Sequence, residues 1–310
     1  MIGAWSRWVA ILDRREPATA LALCRILVAF AVLLHLSRLV HSGADLLVWV
    51  DADTTGVRHL PATWLGEATL ANLRVLETLG IVGAVGMILG LFTRTSTLLT
   101  LVGYRTLADL NSQSGGSYDD LIKNILLVLV LSGCGRALSL DARGRGARDL
   151  VPAWPRYVLL GQLALMYWST AMQKVSAGWI PGGPLDALWY ILQQPTWHRA
   201  DMTWLAPYFP LTQLATFSVW TFEQAAPLLL LALWFRDTRT RPGRLRALFN
   251  RVDYRAWFVV FDVGMHLGIE AVMEVGPFSA ACLSLYACCF HPDEWARVSR
   301  PASARPATPP

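Results

Sequence analysis

Long apolar runs constrain this chain more than any other feature of its sequence. Several approach the ~20 residues that an α-helix needs to cross a bilayer, as in ALALCRILVAFAVLLHLSRLV within 18–40. Charged residues make up only 16% of the chain and hydrophobic residues 54%, whereas a soluble domain has about 25% charged residues. The pattern predicts an all-α fold, a multi-pass bundle of transmembrane helices.

Eight apolar segments are predicted to span the membrane. They lie at about 18–40, 72–92, 96–110, 119–135, 157–176, 210–235, 256–272 and 277–290. A short helix near the N-terminus has apolar residues on one face and is expected to lie in the membrane interface. The predicted organisation is an interfacial helix at 1–16, a transmembrane domain at 17–297 and a disordered, proline-rich tail at 298–310.

The arginines of the loops set the expected orientation. The loops after the fourth and sixth spans carry five and seven arginines, whereas those after the first and fifth carry one each. Because loops rich in positive charge stay on the cytoplasmic side, the two arginine-rich loops are predicted to be cytoplasmic. We therefore expect a multi-pass protein of the cell membrane with both termini in the cytoplasm.

The net charge and the cysteine spacing indicate which classes of ligand are not expected. The net charge of +5 does not predict nucleic-acid binding, because the arginines cluster between the apolar runs, where orientation signals lie. Membrane lipid is the expected contact of the apolar helices, and no motif predicts a protein partner. The five cysteines lack metal-ligand spacing such as paired CxxC, so no metal is indicated and burial as small apolar residues is expected.

Lys174 is unusual for its position. Only two of the 27 basic residues are lysines, Lys123 and Lys174, and Lys174 lies near the end of the apolar stretch at 157–179. A desolvated lysine can release its proton, whereas arginine stays charged. Two interpretations stay open, a lysine that acts as a base and a helix-end lysine whose ammonium reaches the headgroups. The apolar neighbours expected to exclude water from the amine are Trp168, Met172, Val175 and Trp179.

Other polar residues in the apolar runs are expected to face protein. Arg25, Glu223 and Asp262 would each be costly against lipid, and His266 shares a helix face with Asp262. The short, polar third span is likewise expected to face protein or a cavity. Glycines at three- and four-residue spacing in the second span predict close helix packing; they are Gly80, Gly83, Gly86 and Gly90.

Two loops and a second lysine have alternative interpretations. The glycine- and serine-rich loop at 111–120 is able to approach a ligand closely. Lys123 follows Asp119 and Asp120 by four and three residues, and pairing along the helix is favoured over a catalytic role. The tryptophans of the loop at 177–209 are typical of an aromatic belt at the membrane surface.

Several segments, in colinear order over about 18–297, resemble a known family. They are LALCRILVAF, GAVGMILGLFTR, SYDDLIKN followed by SLD, GQLALMYWSTAMQKVSAGWIPG, FEQAAPLLLLALWF, and MHLGIEAVMEVGPFSA with CCFHPDEW. The most specific are GMILGL with Arg94 and the run from Lys174 to Trp179. The chain resembles the HTTM (horizontally transferred transmembrane) domain family, related to the membrane domain of vitamin K-dependent gamma-carboxylases.

The resemblance implies a role for Lys174. In the carboxylases a lysine at this position is taken as the base that deprotonates reduced vitamin K. The resulting anion reacts with dioxygen and becomes a stronger base, which removes a γ-proton from glutamate before carbon dioxide adds. The implied cofactor is reduced vitamin K or menaquinol, a quinone that reaches an apolar pocket from lipid. The supporting residues would be His266, Glu223, Arg25, Tyr118 and Asp119.

Two departures from the carboxylases leave an alternative open. Gly116 stands where the carboxylases have a histidine that is thought to assist the lysine. The 310 residues do not include the large domain that binds the substrate propeptide, so quinol deprotonation is favoured over carboxylation of a propeptide-bearing protein. The alternative is a non-catalytic membrane protein or subunit of the same fold, with a structural, transport or proton-handling role.

Overall fold

The structure, a computed structural model, describes residues 2–50, 69–111, 115–143 and 150–298. Regular structure in these ranges is almost entirely helical, so the predicted all-α class is confirmed. The exception is a short antiparallel pair of strands, β1 (Arg15–Pro17) and β2 (Leu150–Pro152). Apart from its first residue, the predicted tail lies outside the described residues.

The helices of the described residues follow the predicted segments. They are α1 (Ile2–Leu12), α2 (Thr19–Ser42), α3 (Ala44–Trp49), α4 (Leu70–Leu89), α5 (Thr93–Leu110), α6 (Ser117–Ser132), α7 (Trp154–Gln173), α8 (Ala187–Gln193), α9 (Phe209–Ala225), α10 (Pro227–Asp237), α11 (Arg244–Val252), α12 (Tyr254–Val272), α13 (Phe278–Leu285) and α14 (Pro292–Val298). Short 3₁₀ helices lie at Cys134–Arg136, Pro195–Trp197, Thr203–Tyr208 and Tyr286–Cys289. Each predicted span coincides with a helix within a few residues, the sixth with α9 and α10 together.

Two of the described helices, α2 and α4, are long and apolar enough to cross a membrane alone. A third span is obtained when the bent pair that joins 203–225 to α10 is counted as one. The bend of 50° lies at Ala226, because Pro227 has no N–H to donate and its ring clashes with the preceding turn. Length and composition thus support two or three spans in the described part of the chain, and eight stays a prediction.

The chain divides into two compact units, with the boundary inside α7. Unit 1 comprises residues 1–159 and 280–310, and unit 2 comprises residues 160–279. In unit 1, α4 packs against α2 and α5, and α6 packs against α5. In unit 2, α8 packs against α9, and α10 packs against both α11 and α12.

Glycines bring α4 and α5 into close contact in unit 1. A Cβ atom on Gly103 would lie 2.7 Å from the backbone nitrogen of Gly80 and 2.7 Å from the carbonyl oxygen of Leu76. A Cβ atom on Gly83 would lie 2.7 Å from the backbone nitrogen of Thr100. All three distances are too short for any side chain, so the close packing predicted from the glycine spacing is confirmed.

Polar groups are buried and apolar side chains exposed along the helices of unit 1. Arg25 of α2 is fully buried, whereas Phe30 of the same helix is 57% exposed. On α5, Thr97 and Thr100 are buried and donate to the carbonyl oxygens of the preceding turn at 2.7 and 2.9 Å. This distribution suits helices surrounded by lipid. The sequence predicts that the third span faces protein or a cavity; one face of α5 packs against protein, whereas Leu98 of the same helix is 47% exposed. All five cysteines are free and buried, as predicted.

Candidate functional site

Lys174 lies directly after the last residue of α7. Its backbone N–H donates to the carbonyl oxygen of Ala171 at 3.2 Å, which continues the final helical turn. A cation is favoured at this end of a helix because the last carbonyl oxygens carry partial negative charge. The side chain is only 15% exposed. The end of α7 therefore delivers a shielded amine to the interior of unit 2.

Glu223 lies in the last turn of α9, just before the bend at Ala226. The Lys174 Nζ is 2.6 Å from each carboxylate oxygen of Glu223, whose side chain is 7% exposed. The Trp179 ring lies against the same amine, with 4.3 Å between Nζ and the ring centroid. The carboxylate and the ring face both stabilise an ammonium. Lys174 is thus held by Glu223 inside the unit, a geometry unlike that of a lysine extended towards headgroups.

Three of the four apolar residues expected to surround the Lys174 amine do not do so. Trp168, Met172 and Val175 are exposed and do not line the space around the amine, whereas Trp179 does. Helical spacing explains the difference, because 168, 172 and 175 share a face about 130° from that of Tyr167, Thr170 and Lys174. The amine is therefore covered by Trp179 and Glu223, which belong to other elements, and not by side chains of its own helix.

The Lys174–Glu223 pair borders a cavity of about 830 Å³ inside unit 2. Its walls come from α7, α8, α9, α12 and the loop before α9, and they are mostly apolar. Three hydroxyls in the wall donate to carbonyl oxygens one turn earlier in their own helices; they belong to Thr170, Thr216 and Ser218. Among the described residues that line the cavity, Lys174 and Glu223 alone are charged. An apolar molecule with one acidic hydroxyl would match this lining.

Tyr167 connects the cavity to the predicted site residue His266. Tyr167 of α7 lines the cavity, and its hydroxyl lies 2.7 Å from His266 Nε2. His266 Nδ1 is 3.3 Å from Ser279 Oγ, and Asp262 Oδ1 is 3.7 Å from Nε2. His266 and Asp262 are fully buried, which confirms that Asp262 faces protein, as Glu223 does. The sequence analysis missed Tyr167, although its spacing from Thr170 and Lys174 places all three on one face of α7.

The tryptophan-rich loop forms part of the cavity wall. Trp189 donates from Nε1 to the carbonyl oxygen of Ala206 at 3.1 Å, which ties α8 to the segment before α9. Arg199 pairs with Glu270 at 2.9 Å and with Glu274 at 3.0 Å. The Thr203 backbone N–H donates to Asp201 and holds the pKa of that carboxyl below its usual value. The loop is therefore fixed by polar contacts, in addition to any role of its exposed aromatic residues at the membrane surface.

Tyr118 and Asp119 lie in unit 1, around a small cavity of about 80 Å³. Asp119 accepts from the Tyr104 hydroxyl at 2.8 Å and from the Gly116 backbone N–H at 2.8 Å, and so caps α6. A Cβ atom on Gly116 would lie 2.8 Å from Cδ1 of the Tyr118 ring. The Tyr118 ring therefore covers the side of Gly116 from which a side chain would extend.

Arg25 and Lys123 also belong to unit 1 and have partners there. Arg25 donates to the carbonyl oxygens of Cys134 at 3.2 Å and Leu138 at 2.5 Å. These bonds join α2 to the segment that follows α6, a structural role. Lys123 pairs with Asp120 at 2.8 Å, in agreement with the favoured interpretation. Of the predicted site residues, Lys174, Glu223 and, through Tyr167, His266 are brought together in unit 2.

A comparison with protein families identifies the chain. A family model described as the HTTM domain matches residues 13–240, well over half of the sequence. No solved structure matches the chain. The match includes Lys174, Glu223 and Gly116, whereas His266 lies beyond its end. The chain belongs to the HTTM domain family and is a membrane protein of this gamma-carboxylase-related group.

Proposed function

We propose that this chain is a membrane enzyme that uses a reduced quinone and dioxygen, with Lys174 as the base, for carboxylation or a related oxidation. The observation that carries the proposal is the Lys174–Glu223 pair at the wall of a large apolar cavity. A proton-accepting group at the edge of an apolar pocket is the arrangement that deprotonation of a lipid-soluble acid requires. The remaining walls offer hydrocarbon and aromatic surface for a quinol ring and its isoprenoid side chain.

The residues of the cavity fit reduced vitamin K or menaquinol. About 830 Å³ is in the range of small-molecule pockets, and the lining is predominantly apolar. When bound, such a quinol would supply an acidic hydroxyl and the electrons for dioxygen. The pair of charges would meet that hydroxyl, and the Trp179 ring would cover one side of the amine.

An ammonium has no lone pair and cannot act as a base, so Lys174 must first give up a proton. In this proposal the Glu223 carboxylate accepts it. An ion pair and a neutral amine–carboxylic acid pair differ only in the position of one proton, which travels between atoms 2.6 Å apart. When an apolar ring fills the cavity and displaces water, the charged arrangement loses solvation and the neutral one is favoured. Lys174 Nζ would then accept the hydroxyl proton. Tyr167, whose hydroxyl lies beside the His266 ring, would orient the bound molecule.

We also propose the membrane arrangement that the loops predict, with eight spans, both termini in the cytoplasm and α1 along the interface. It is supported by a helix at each predicted span and by the arginine asymmetry. Reporter fusions at Asp53 and Thr196 are expected to report the outer side, and a fusion at Arg145 the cytoplasm. A fusion at Arg145 that reports the outer side contradicts this topology.

A non-catalytic role is the second candidate, and one observation favours it. The Tyr118 ring occupies the side of Gly116 where the carboxylases have a histidine. A chain that keeps the Lys174–Glu223 pair without that histidine could hold a lipid or move protons without oxidising anything.

Oxygen uptake with reduced vitamin K or menaquinol decides between the enzymatic and the non-catalytic function. Lys174→Ala and Lys174→Arg are both expected to remove quinol-dependent uptake, because guanidinium does not release its proton at neutral pH. A loss of about 10²-fold or more is expected for a general base. Wild-type uptake that Lys174→Arg retains in full excludes Lys174 as the base. An inactive wild type with every quinol supports the non-catalytic role.

A further inference from the structure

The basic segment between α10 and α12 contains an amphipathic helix with an exposed apolar stripe. Three residues of α11 at i, i+3 and i+7 share one face and are exposed by 54%, 53% and 49%; they are Leu245, Leu248 and Val252. Exposed apolar residues at this spacing form a continuous stripe along a helix. A stripe of this kind on a folded helix indicates a surface that contacts something other than water.

Residues outside the stripe fix α11 to α10 and to the turn between the two helices, so the stripe is not a product of a loosely attached helix. Arg246 donates to Thr238 Oγ1 at 3.0 Å and to the Pro242 carbonyl oxygen at 2.7 Å. The Phe249 and Phe235 rings meet edge to face, with centroids 5.4 Å apart. These contacts set the rotation of α11 about its axis and direct the stripe away from unit 2.

Unpaired arginines flank the stripe. Arg244 and Arg251 are two helical turns apart on the same side of α11, and both are exposed. Neither has an acidic partner within the described parts of the chain. The segment 238–252 carries five arginines and no acidic residue. Two free guanidinium groups beside an apolar stripe match an anionic headgroup above acyl chains.

We propose that α11 is a membrane-surface helix that binds anionic phospholipid, with the apolar stripe in the acyl boundary and Arg244 and Arg251 on the headgroups. The location of the helix supports lipid as the occupant, because α11 connects α10 and α12, two apolar helices of a membrane protein. Trp257, in the first turn of α12, is 66% exposed, as tryptophans at headgroup level are. This inference does not depend on the proposed enzyme function.

Hydrogen exchange of the full chain tests the proposal. The protein is placed in nanodiscs of phosphatidylcholine alone or mixed with phosphatidylglycerol, and exchange is followed at the amides of α11 and, as an internal reference, of α8. Anionic lipid is expected to slow exchange in α11 by about fivefold for each arginine engaged, and to leave α8 unchanged. High salt is expected to remove the difference, since it screens exposed charges.

Paired variants assign the effect to the two arginines. Arg244→Gln with Arg251→Gln is expected to abolish the lipid dependence, whereas Arg38→Gln with Arg105→Gln removes equal charge elsewhere and is expected to retain it. Equal exchange of wild-type α11 in both lipids overturns the proposal, as does a lipid dependence that the double variant keeps. Slowing that appears only when two copies share a disc also overturns it, because a second copy then covers the stripe. The salt series on the wild type decides the matter even if the variant does not fold.

Discussion

Each of the two units buries an ion pair, and the two pairs differ in what they can do. In unit 1, Arg156 donates to Glu16 through Nε at 2.8 Å and Nη2 at 3.0 Å, and both side chains are 2% exposed. In unit 2, Lys174 meets Glu223 at the edge of a cavity. A bidentate arginine fork fixes geometry and keeps its charge, whereas a lysine can exchange its proton with a carboxylate. The first pair is suited to holding structure and the second to moving a proton.

The glycines of the two units show the same contrast. Gly80, Gly83 and Gly103 allow backbones of unit 1 to touch, whereas a Cβ atom on Gly264 or Gly268 of unit 2 would meet nothing within 4 Å. Both of the latter line the cavity. At these helical positions the missing side chains permit close packing in unit 1 and preserve space in unit 2. Outside the helices the contrast does not hold, because a Cβ atom on Gly183 of unit 2 would lie 2.8 Å from the carbonyl carbon of Ala177.

The largest expected difference in stability between the two units comes from removal of the carboxylate of each buried ion pair. Glu16→Ala leaves the Arg156 charge buried without its partner, and such changes cost about 3–5 kcal/mol of stability. Glu223→Ala is expected to cost less, about 1.5–3 kcal/mol, because the Lys174 amine borders the cavity and keeps the Trp179 ring as a partner. The melting temperatures of the two variants in detergent compare these costs.

A surface variant controls for the loss of a carboxylate. Glu274→Ala breaks an exposed pair with Arg199 and is expected to change stability by about 0–1 kcal/mol. If Glu223→Ala lowers the melting temperature as much as Glu16→Ala, the two pairs are equivalent in stability and the contrast between them fails.

The sequence predicted where the helices lie and that three charged residues of the apolar runs are buried, but neither the buried Arg156–Glu16 pair nor how the site is closed. Apolar run length located the helices, and the cost of charge against lipid placed Arg25, Glu223 and Asp262 inside. The loop that carries Trp179 has no periodicity, so its packing around Lys174 follows from tertiary contacts alone. The bend that positions Glu223 requires Pro227, a visible signal, but its angle does not follow from sequence. Tyr118 beside Gly116 illustrates the same limit, since a missing side chain does not indicate which neighbour replaces it.

Two buried tyrosines, one in each unit, allow a second comparison of the units, with an intermediate expected change in stability. Tyr104 donates to the Asp119 carboxylate at 2.8 Å in unit 1, whereas Tyr167 meets the His266 ring in unit 2. Tyr104→Phe is expected to cost about 1.5–3 kcal/mol, because a bond to a carboxylate is lost, and Tyr167→Phe about 0.5–1.5 kcal/mol. Melting temperatures test this order, and oxygen uptake is expected to fall for Tyr167→Phe alone. A larger loss of stability at Tyr167, or equal loss of uptake at Tyr104, contradicts the division between structural and functional networks.

Single methyl groups on glycine give the smallest expected effects, with opposite signs in the two units. Alanine is favoured over glycine within a helix by about 1 kcal/mol, and that gain applies at both Gly103 and Gly264. At Gly103 the new Cβ atom would meet backbone at 2.7 Å, and overpacking costs about 1–3 kcal/mol, so Gly103→Ala is expected to lower the melting temperature. At Gly264 nothing opposes the gain, so Gly264→Ala is expected to leave the melting temperature unchanged or raise it. Gly264→Leu extends the test, because its side chain would project into the cavity and take space from a bound quinol. Quinol-dependent uptake is then expected to fall without unfolding of the protein. A melting temperature that falls for Gly264→Ala would show that the space beside this helix is closed in solution.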